Sequence, residues 1–503
     1  MALRGLGRAR LRRARRGRAG AVGLAVALYL GAGVLATSPA LGRADERFLG
    51  YGVATEGRVT PGDHLQTIYS LWLPGHQLAR GEAPWVDPYS FQPELERRTN
   101  FAGWPFAAVF GPLEALFGTV VGWNIFVLLT YVGAGGFAAL WLRTLGLPLA
   151  AALVGGLAFA LAPYRVAQST GHLLGPVSML LPLALYGVER RLTWLAAAAL
   201  ASIPLSGQVH LALGAIPFVL AYAIARRRSW RGVLAACAGV LAGVAVWALS
   251  LRDATERPYS EVGRYSATLG DFLTRDPGEF ERFIYLGWLL PVLAIAGLGC
   301  LCFRNTISSS RRVAAALGLG ALVPCLLALG ENLPGYGLLW RNTPLHATRV
   351  PERMMPIACL CLAALAAAAI ACVSETQARS RLVAVVAAAL VAADLWVPLY
   401  DPLVADEGNA VYSRVAAAPP GRLLEVPPLP PDAYAGSVYL YYAMQAPRER
   451  PLGYATSAPP EAFRTARLLS SAADSGALLR RLGVRVVVTY RDGKPVRFTP
   501  IAR

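Results

Sequence analysis

A succession of apolar runs, joined mostly by short turns that carry arginine, limits the folds open to this chain more than any other feature. Hydrocarbon offers no partner to a backbone N–H or C=O, so such runs must close their hydrogen bonds internally and are read as helices. Hydropathy places them at Ala21 to Leu41, Val121 to Leu142, Pro148 to Pro163, Leu173 to Val188, Leu192 to Leu205, Val209 to Ala225, Gly232 to Leu251, Phe283 to Phe303, Val313 to Leu329, Met354 to Val373 and Leu382 to Leu399. That makes about eleven transmembrane helices and an all-α polytopic membrane protein. Of the 503 residues 55% are hydrophobic and 16% charged, and the mean hydropathy of +0.45 is too high for a single water-facing core. The basic start and the run from Ala21 could also be a signal peptide, but about twenty residues is long for such a core, and a retained helix is expected.

The formal charge of +18 is almost wholly arginine, Lys494 being the single lysine. Arginines from Arg4 to Arg18 form a basic cytoplasmic tail over residues 1–20, read as a positive-inside signal and not as a nucleic-acid arm. Arg143, Arg190-Arg191, Arg226-Arg227-Arg228, Arg304, Arg311-Arg312, Arg379 and Arg381 then fall on the same side. The alternation requires Phe101 to Gly118, interrupted by Pro105 and Pro112, to lie at the outer interface without crossing. The transmembrane domain spans residues 21–399, with a large first outer loop at 42–120. Residues 400–503 form a small extracytoplasmic α/β domain: strands at Arg422 to Val426 and Val484 to Tyr490, a turn at Asp492-Gly493, and helical material from Glu461 to Leu482 breaking near Asp474-Ser475. The compartment read from this layout is a bacterial plasma membrane, N-terminus inside and C-terminus outside. All seven cysteines sit in apolar runs, with neither disulfide nor metal spacing.

Polar residues gather on the outer side. The first loop holds Asp63, His64, Gln66, Asp87 and Tyr89; the turn after the third run holds Arg165, Gln168 and His172; later loops add Arg257, Arg349 and Arg353. An apolar groove, cations and hydroxyl-binding groups are what a sugar on a polyprenyl phosphate would need, with the lipid bilayer holding its tail. Transfer to a glycan, lipid or protein acceptor further needs a base for the acceptor's proton, and Asp63 is the first choice. Each residue has a plainer role as well. Asp63 could cap the helix beginning near His64, Asp87 could form the turn before Pro88, Arg349 and Arg353 could snorkel, and His172 could be structural. Asp63, His64 and Asp87 could together hold a divalent metal, the one cofactor in view, although their spacing matches no metal signature.

Four passages carry a resemblance: Pro61-Gly62-Asp63 with Gln66 and Trp72; Gly81 to Phe91; Ala162-Pro163-Tyr164 with Gly171-His172; and Arg349 to Arg353. With the tail at Leu482 to Val488, the chain resembles the GT-C superfamily of membrane glycosyltransferases, nearest its YfhO-like bacterial branch. The resemblance implies a polyprenyl-phosphate sugar donor and an acidic catalytic residue in the first outer loop, here Asp63. Many members pair two acids there, whereas this chain has Asp63-His64. A transporter or lipid flippase, or a non-catalytic envelope assembly factor, are the alternatives; almost no charge inside the runs and no P-loop pattern count against transport.

Overall fold

Alanine- and leucine-rich runs interrupted by proline and glycine give a helical body, and the interruptions decide its shape. The computed structural model describes residues 2–93, 98–252, 258–278, 282–303, 310–373, 377–455, 457–472 and 475–501. Within these, five helices are long and apolar enough to cross a membrane: Ala19–Thr37, Ala107–Thr144, Ser229–Leu251, Arg311–Ala328 and Pro351–Val373. The pair Leu149–Ala160 and Pro163–Ser169, bent by 52°, makes a sixth if counted as one span. This is fewer than the eleven crossings expected from hydropathy, because length and not only apolarity is limiting. Thr193–Leu205 has 13 residues and rises about 20 Å, short of a hydrocarbon core of about 30 Å. The expected run Leu173 to Val188 is split into Leu174–Val177 and Leu180–Arg190, in a stretch that contains Pro176 and Pro182. The apolar stretch from Phe283 does not become helical until Leu289.

Pro351–Val373 lies at the centre, with 83% of its window buried. Its small side chains let neighbours approach its backbone. A Cβ added to Gly297 would sit 1.8 Å from the Leu365 carbonyl oxygen, and one on Gly155 would sit 2.8 Å from Ala367 Cβ. Small-residue packing of this kind is how apolar helices associate where lipid removes the hydrophobic drive.

The Ala107–Thr144 segment is two helices, since Gly118 leaves helical geometry with φ 78°. The chain folds back there: a Cβ on Gly122 would lie 3.0 Å from the Glu114 Cα. Glu407 Oε1 accepts from the N–H groups of Thr119 and Val120 at 2.9 and 3.1 Å, so a carboxylate from the far end of the chain caps the second helix. On the arginine-rich side, buried Glu189 is paired by Arg226 at 2.6 Å and Arg228 at 2.8 Å.

Among the described residues there are three small sheets. Arg47–Gly50 pairs antiparallel with Asp401–Val404, tying the start of the first loop to the chain after the last apolar helix. Val86–Asp87 pairs with Arg98–Thr99. In the tail, Arg422–Val426 runs parallel to Val484–Arg491, which turns through Asp492 and Gly493 into antiparallel Lys494–Pro500. Helices Pro460–Ala472 and Gly476–Arg481, the latter capped by Ser475, flank the expected break, of which Asp474 lies outside the described residues. The tail also contains a helix that the sequence reading did not name, Ser437–Gln445, whose Tyr439, Tyr441 and Tyr442 are buried.

That helix packs on Asp63–Ala79, the helix of the first loop. Ten residues of Asp63–Ala79 are buried, so it is covered by protein instead of lying open as an interfacial helix. A second seam runs beside it: Arg450 N–H donates to the Tyr89 carbonyl at 2.8 Å, and Gln92 N–H to the Arg450 carbonyl at 2.8 Å. Beneath this seam Arg450 Nη1 lies 3.0 Å from Glu425 Oε1, both side chains at most 1% exposed.

Candidate active site

Gly62 is where the first loop turns into a helix, and its lack of a side chain is required. A Cβ there would sit 2.4 Å from the His64 Nδ1. Its N–H donates to Ser437 Oγ of the tail at 3.0 Å. From the other side Gly171 lies against the same turn, a Cβ on it falling 3.2 Å from the His64 nitrogen, and its carbonyl accepts from Thr67 Oγ1 at 2.7 Å. The turn that carries Asp63, first residue of the helix, is therefore held by two distant parts of the chain, at Ser437 and at Gly171.

Its carboxylate does not cap the helix, as the plainer sequence reading allowed. Oδ2 lies 2.6 Å from His172 Nε2, and Oδ1 accepts from the Tyr454 hydroxyl at 3.1 Å. Behind the imidazole, Arg353 Nη1 is 2.7 Å from His172 Nδ1 and also donates to Gln168 Oε1, while Gln168 Oε1 is 2.8 Å from the same Nδ1. His172 donates from Nε2 to Asp63, while its Nδ1 lies within reach of both the Arg353 guanidinium and the Gln168 amide oxygen. Asp63, His172, Gln168, Arg353 and Tyr454 thus form one network, drawn from the first loop, the bent helix pair and the turn after it, the entrance to the central helix and the tail.

Burial by itself would raise the Asp63 carboxyl, but the charge and hydrogen bond of His172, the Tyr454 hydroxyl and the Arg353 charge outweigh it and lower the group to about 2. The side chain nevertheless remains 26% exposed, so an anionic oxygen reaches solvent inside a ring of donors. Burial pushes the Tyr454 phenol up, with Asp63 adding to the shift.

The remaining residues singled out from the sequence lie elsewhere. His64 is buried against Phe48, ring centroids 5.6 Å apart, with no hydrogen-bond partner for Nε2. Asp87 is enclosed by Tyr69 Oη at 2.9 Å, the Tyr89 N–H at 2.9 Å and Ser90 Oγ at 3.0 Å, as a turn former would be. Tyr89 bonds His76 Nε2 at 2.8 Å. Arg165 is wholly buried, donating to the carbonyls of Ala160 and Thr130 at 2.9 Å. Arg349 pairs with Glu261 at 2.8 Å and stacks over Tyr265, still near enough for its charge to act on Tyr454. Gln66 is half-buried on the same helix, and Arg257 lies outside the described residues. Asp63, His64 and Asp87 do not assemble into a metal site: among the described residues no group of three His, Cys, Asp or Glu converges. Tyr454 was missed because 391 residues separate it from Asp63. The one local hint is Gly453 before it, where a Cβ would meet Ser90 Cβ at 2.9 Å.

His64 gives the site a measurable pH signature. Burial lowers its imidazole to about 3 against the opposing charge of Asp63. An unfolded histidine titrates near 6.5, so the unfolded state binds more protons between about 6.5 and 3, and stability falls as pH falls through that window. The thermal midpoint of wild-type protein is expected to drop between pH 6.5 and 4, and His64→Phe to flatten this slope. An unchanged slope in that variant would show that His64 is solvated.

No family model and no curated protein match this chain. Among solved structures it is similar to the mycobacterial arabinofuranosyltransferase AftD, with 17% identity, TM-score 0.56, and coverage of 95% of this chain and 35% of that one. The chain thus spans about a third of the length of that enzyme. A second similar structure is the oligosaccharyltransferase AglB of Archaeoglobus fulgidus, solved with an inhibitory peptide and a dolichol-phosphate, at 10% identity, TM-score 0.46, and coverage of 93% of this chain and 69% of that one. Over 95% of its length the chain has a fold similar to that of the arabinofuranosyltransferase AftD.

Proposed function

We propose that this protein moves a sugar from a polyprenyl-phosphate carrier to a glycan, lipid or protein acceptor on the outer side of a bacterial plasma membrane, with Asp63 as the base. One observation carries the reading: a partly exposed carboxylate on which His172 and Tyr454 converge, with Arg353 and Gln168 behind the imidazole. The acceptor hydroxyl attacks the anomeric carbon, its proton passes to Asp63, and the bond to the carrier breaks with its electron pair leaving on the phosphate. Arg353, whose charge acts on Asp63, and Arg349, once released from Glu261, receive that phosphate in this reading. The arginine-rich turns, including the Arg226–Glu189–Arg228 cluster, support an inside position for the opposite face. The four sequence passages support a place in the YfhO-like branch.

A carboxylate held near 2 is a feeble base at rest. Tyr454 occupies the place of an entering hydroxyl, and its displacement removes one of the hydrogen bonds that lower Asp63, raising basicity as substrate arrives. Tyr454→Phe is accordingly expected to keep transfer within about tenfold, one hydrogen bond being worth about 1 kcal/mol, and to move the acid limb of the kcat/KM profile upward. A loss as large as that from removing the carboxylate would instead make the phenol part of the chemistry. The reading as a whole is tested by incubating the purified protein in bilayers with polyprenyl-phosphate sugars from its host. Sugar-dependent release of free polyprenyl phosphate is expected, and its absence with every donor pool would exclude the transferase.

A further inference from the structure

A cavity of about 700 Å³ lies between the first outer loop and the tail, at the opposite end of the Asp63–Ala79 helix. From Asp63 to Gln77 on its wall the helix rises about 20 Å. Its volume falls within the range of about 300–1,000 Å³ usual for ligand sites.

The lining has a definite chemistry. Arg80, Arg422 and Arg448 face it with Glu82 and Glu449. Arg422 spends its charge on Glu449, 3.0 Å away. The Arg448 guanidinium is held by the carbonyls of Ala418, Pro419 and Gly421, neutral acceptors that fix its position and leave its charge uncancelled. Two guanidinium charges therefore stand against the single carboxylate of Glu82. Tyr89 supplies an aromatic wall, steadied by its bond to His76, whose ring stacks on Trp72 at 4.1 Å. Guanidinium forks match carboxylates and phosphates, and an aromatic face suits the C–H side of a sugar ring.

We propose that this cavity binds an anionic saccharide, the part of a growing acidic glycan that lies some sugars away from the reacting hydroxyl. The assignment rests on the glycosyl-transfer reading only for the word acceptor; binding itself requires no donor and no Asp63. A remote grip of this kind holds the chain while its end reaches the carboxylate.

The test uses full-length protein in detergent micelles with trigalacturonic acid as the probe, against its fully methyl-esterified form, which keeps every ring and removes the charge. The acid is expected to bind at least tenfold more tightly than the ester and to weaken as salt is raised. Arg80→Gln, on an exposed side chain that bears no part of the fold, should weaken the acid about tenfold, Glu82→Gln should tighten it, and Asp63→Asn should leave it unchanged. Equal affinity for the two probes, no binding of either, or wild-type affinity in Arg80→Gln would overturn the proposal. Binding that persists while no transfer is ever found would sink the enzymatic reading alone, and transfer that depends on Asp63 without acid binding would sink this one alone.

Discussion

Asp63→Asn lowers the rate of sugar transfer by roughly 10²- to 10⁴-fold, the contribution general-base catalysis makes, while the protein still folds. The substitution keeps the side chain's size and an oxygen for the Tyr454 hydroxyl, but it removes the charge and presents an amide N–H toward His172 Nε2. The imidazole then loses its anionic partner and meets an N–H donor at that position, beside the Arg353 guanidinium. Loss of rate should therefore be accompanied by a disturbed His172 rather than by unfolding. Turnover of a labelled lipid-linked sugar, measured beside the thermal midpoint, checks both halves. A variant retaining a tenth or more of wild-type turnover would remove Asp63 from the chemistry.

The second large effect concerns the tail. Arg450 and Glu425 are buried together, and burial pulls the Glu425 carboxyl upward against the attraction of Arg450. Glu425 Oε2 and Arg450 Nη2 have no hydrogen-bond partner, so the pair's net contribution to stability is small, yet either charge left alone is costly. Arg450→Met is expected to destabilise the tail by about 3–5 kcal/mol, and adding Glu425→Leu to recover most of that. Arg450 also carries the backbone bonds to Tyr89 and Gln92 and stands four residues before Tyr454. Limited proteolysis should find the single variant cut in the tail and the double variant resistant. Equal protection of wild type and the single variant would mean that the pair is solvated.

What could be read from the sequence was what is local. Apolar runs, the helix beginning at Asp63, the strands Arg422–Val426 and Val484–Arg491 and the Asp492-Gly493 turn all follow from periodicity and turn chemistry over a few residues. Asp63, Gln168, His172 and Arg353 were each named for their type and their side of the membrane, and the fold brings these four together. Asp87 and Arg349 were named on the same grounds but found nearer partners in Tyr69 and Glu261, since a charged group in a loop bonds whatever the packing supplies. Hydropathy scores a run without asking whether a proline splits it, so Leu173 to Val188 read as one span and is two short helices. Tyr454 and the tail's grip on the outer loop left no trace, being contacts between residues hundreds of positions apart.

The hydroxyl that tops Asp63 is contributed 391 residues further along the chain, beyond the apolar helices described above. The ring of donors around the carboxylate is therefore complete only once the segment carrying Tyr454 has been made and has folded back onto the Asp63 turn.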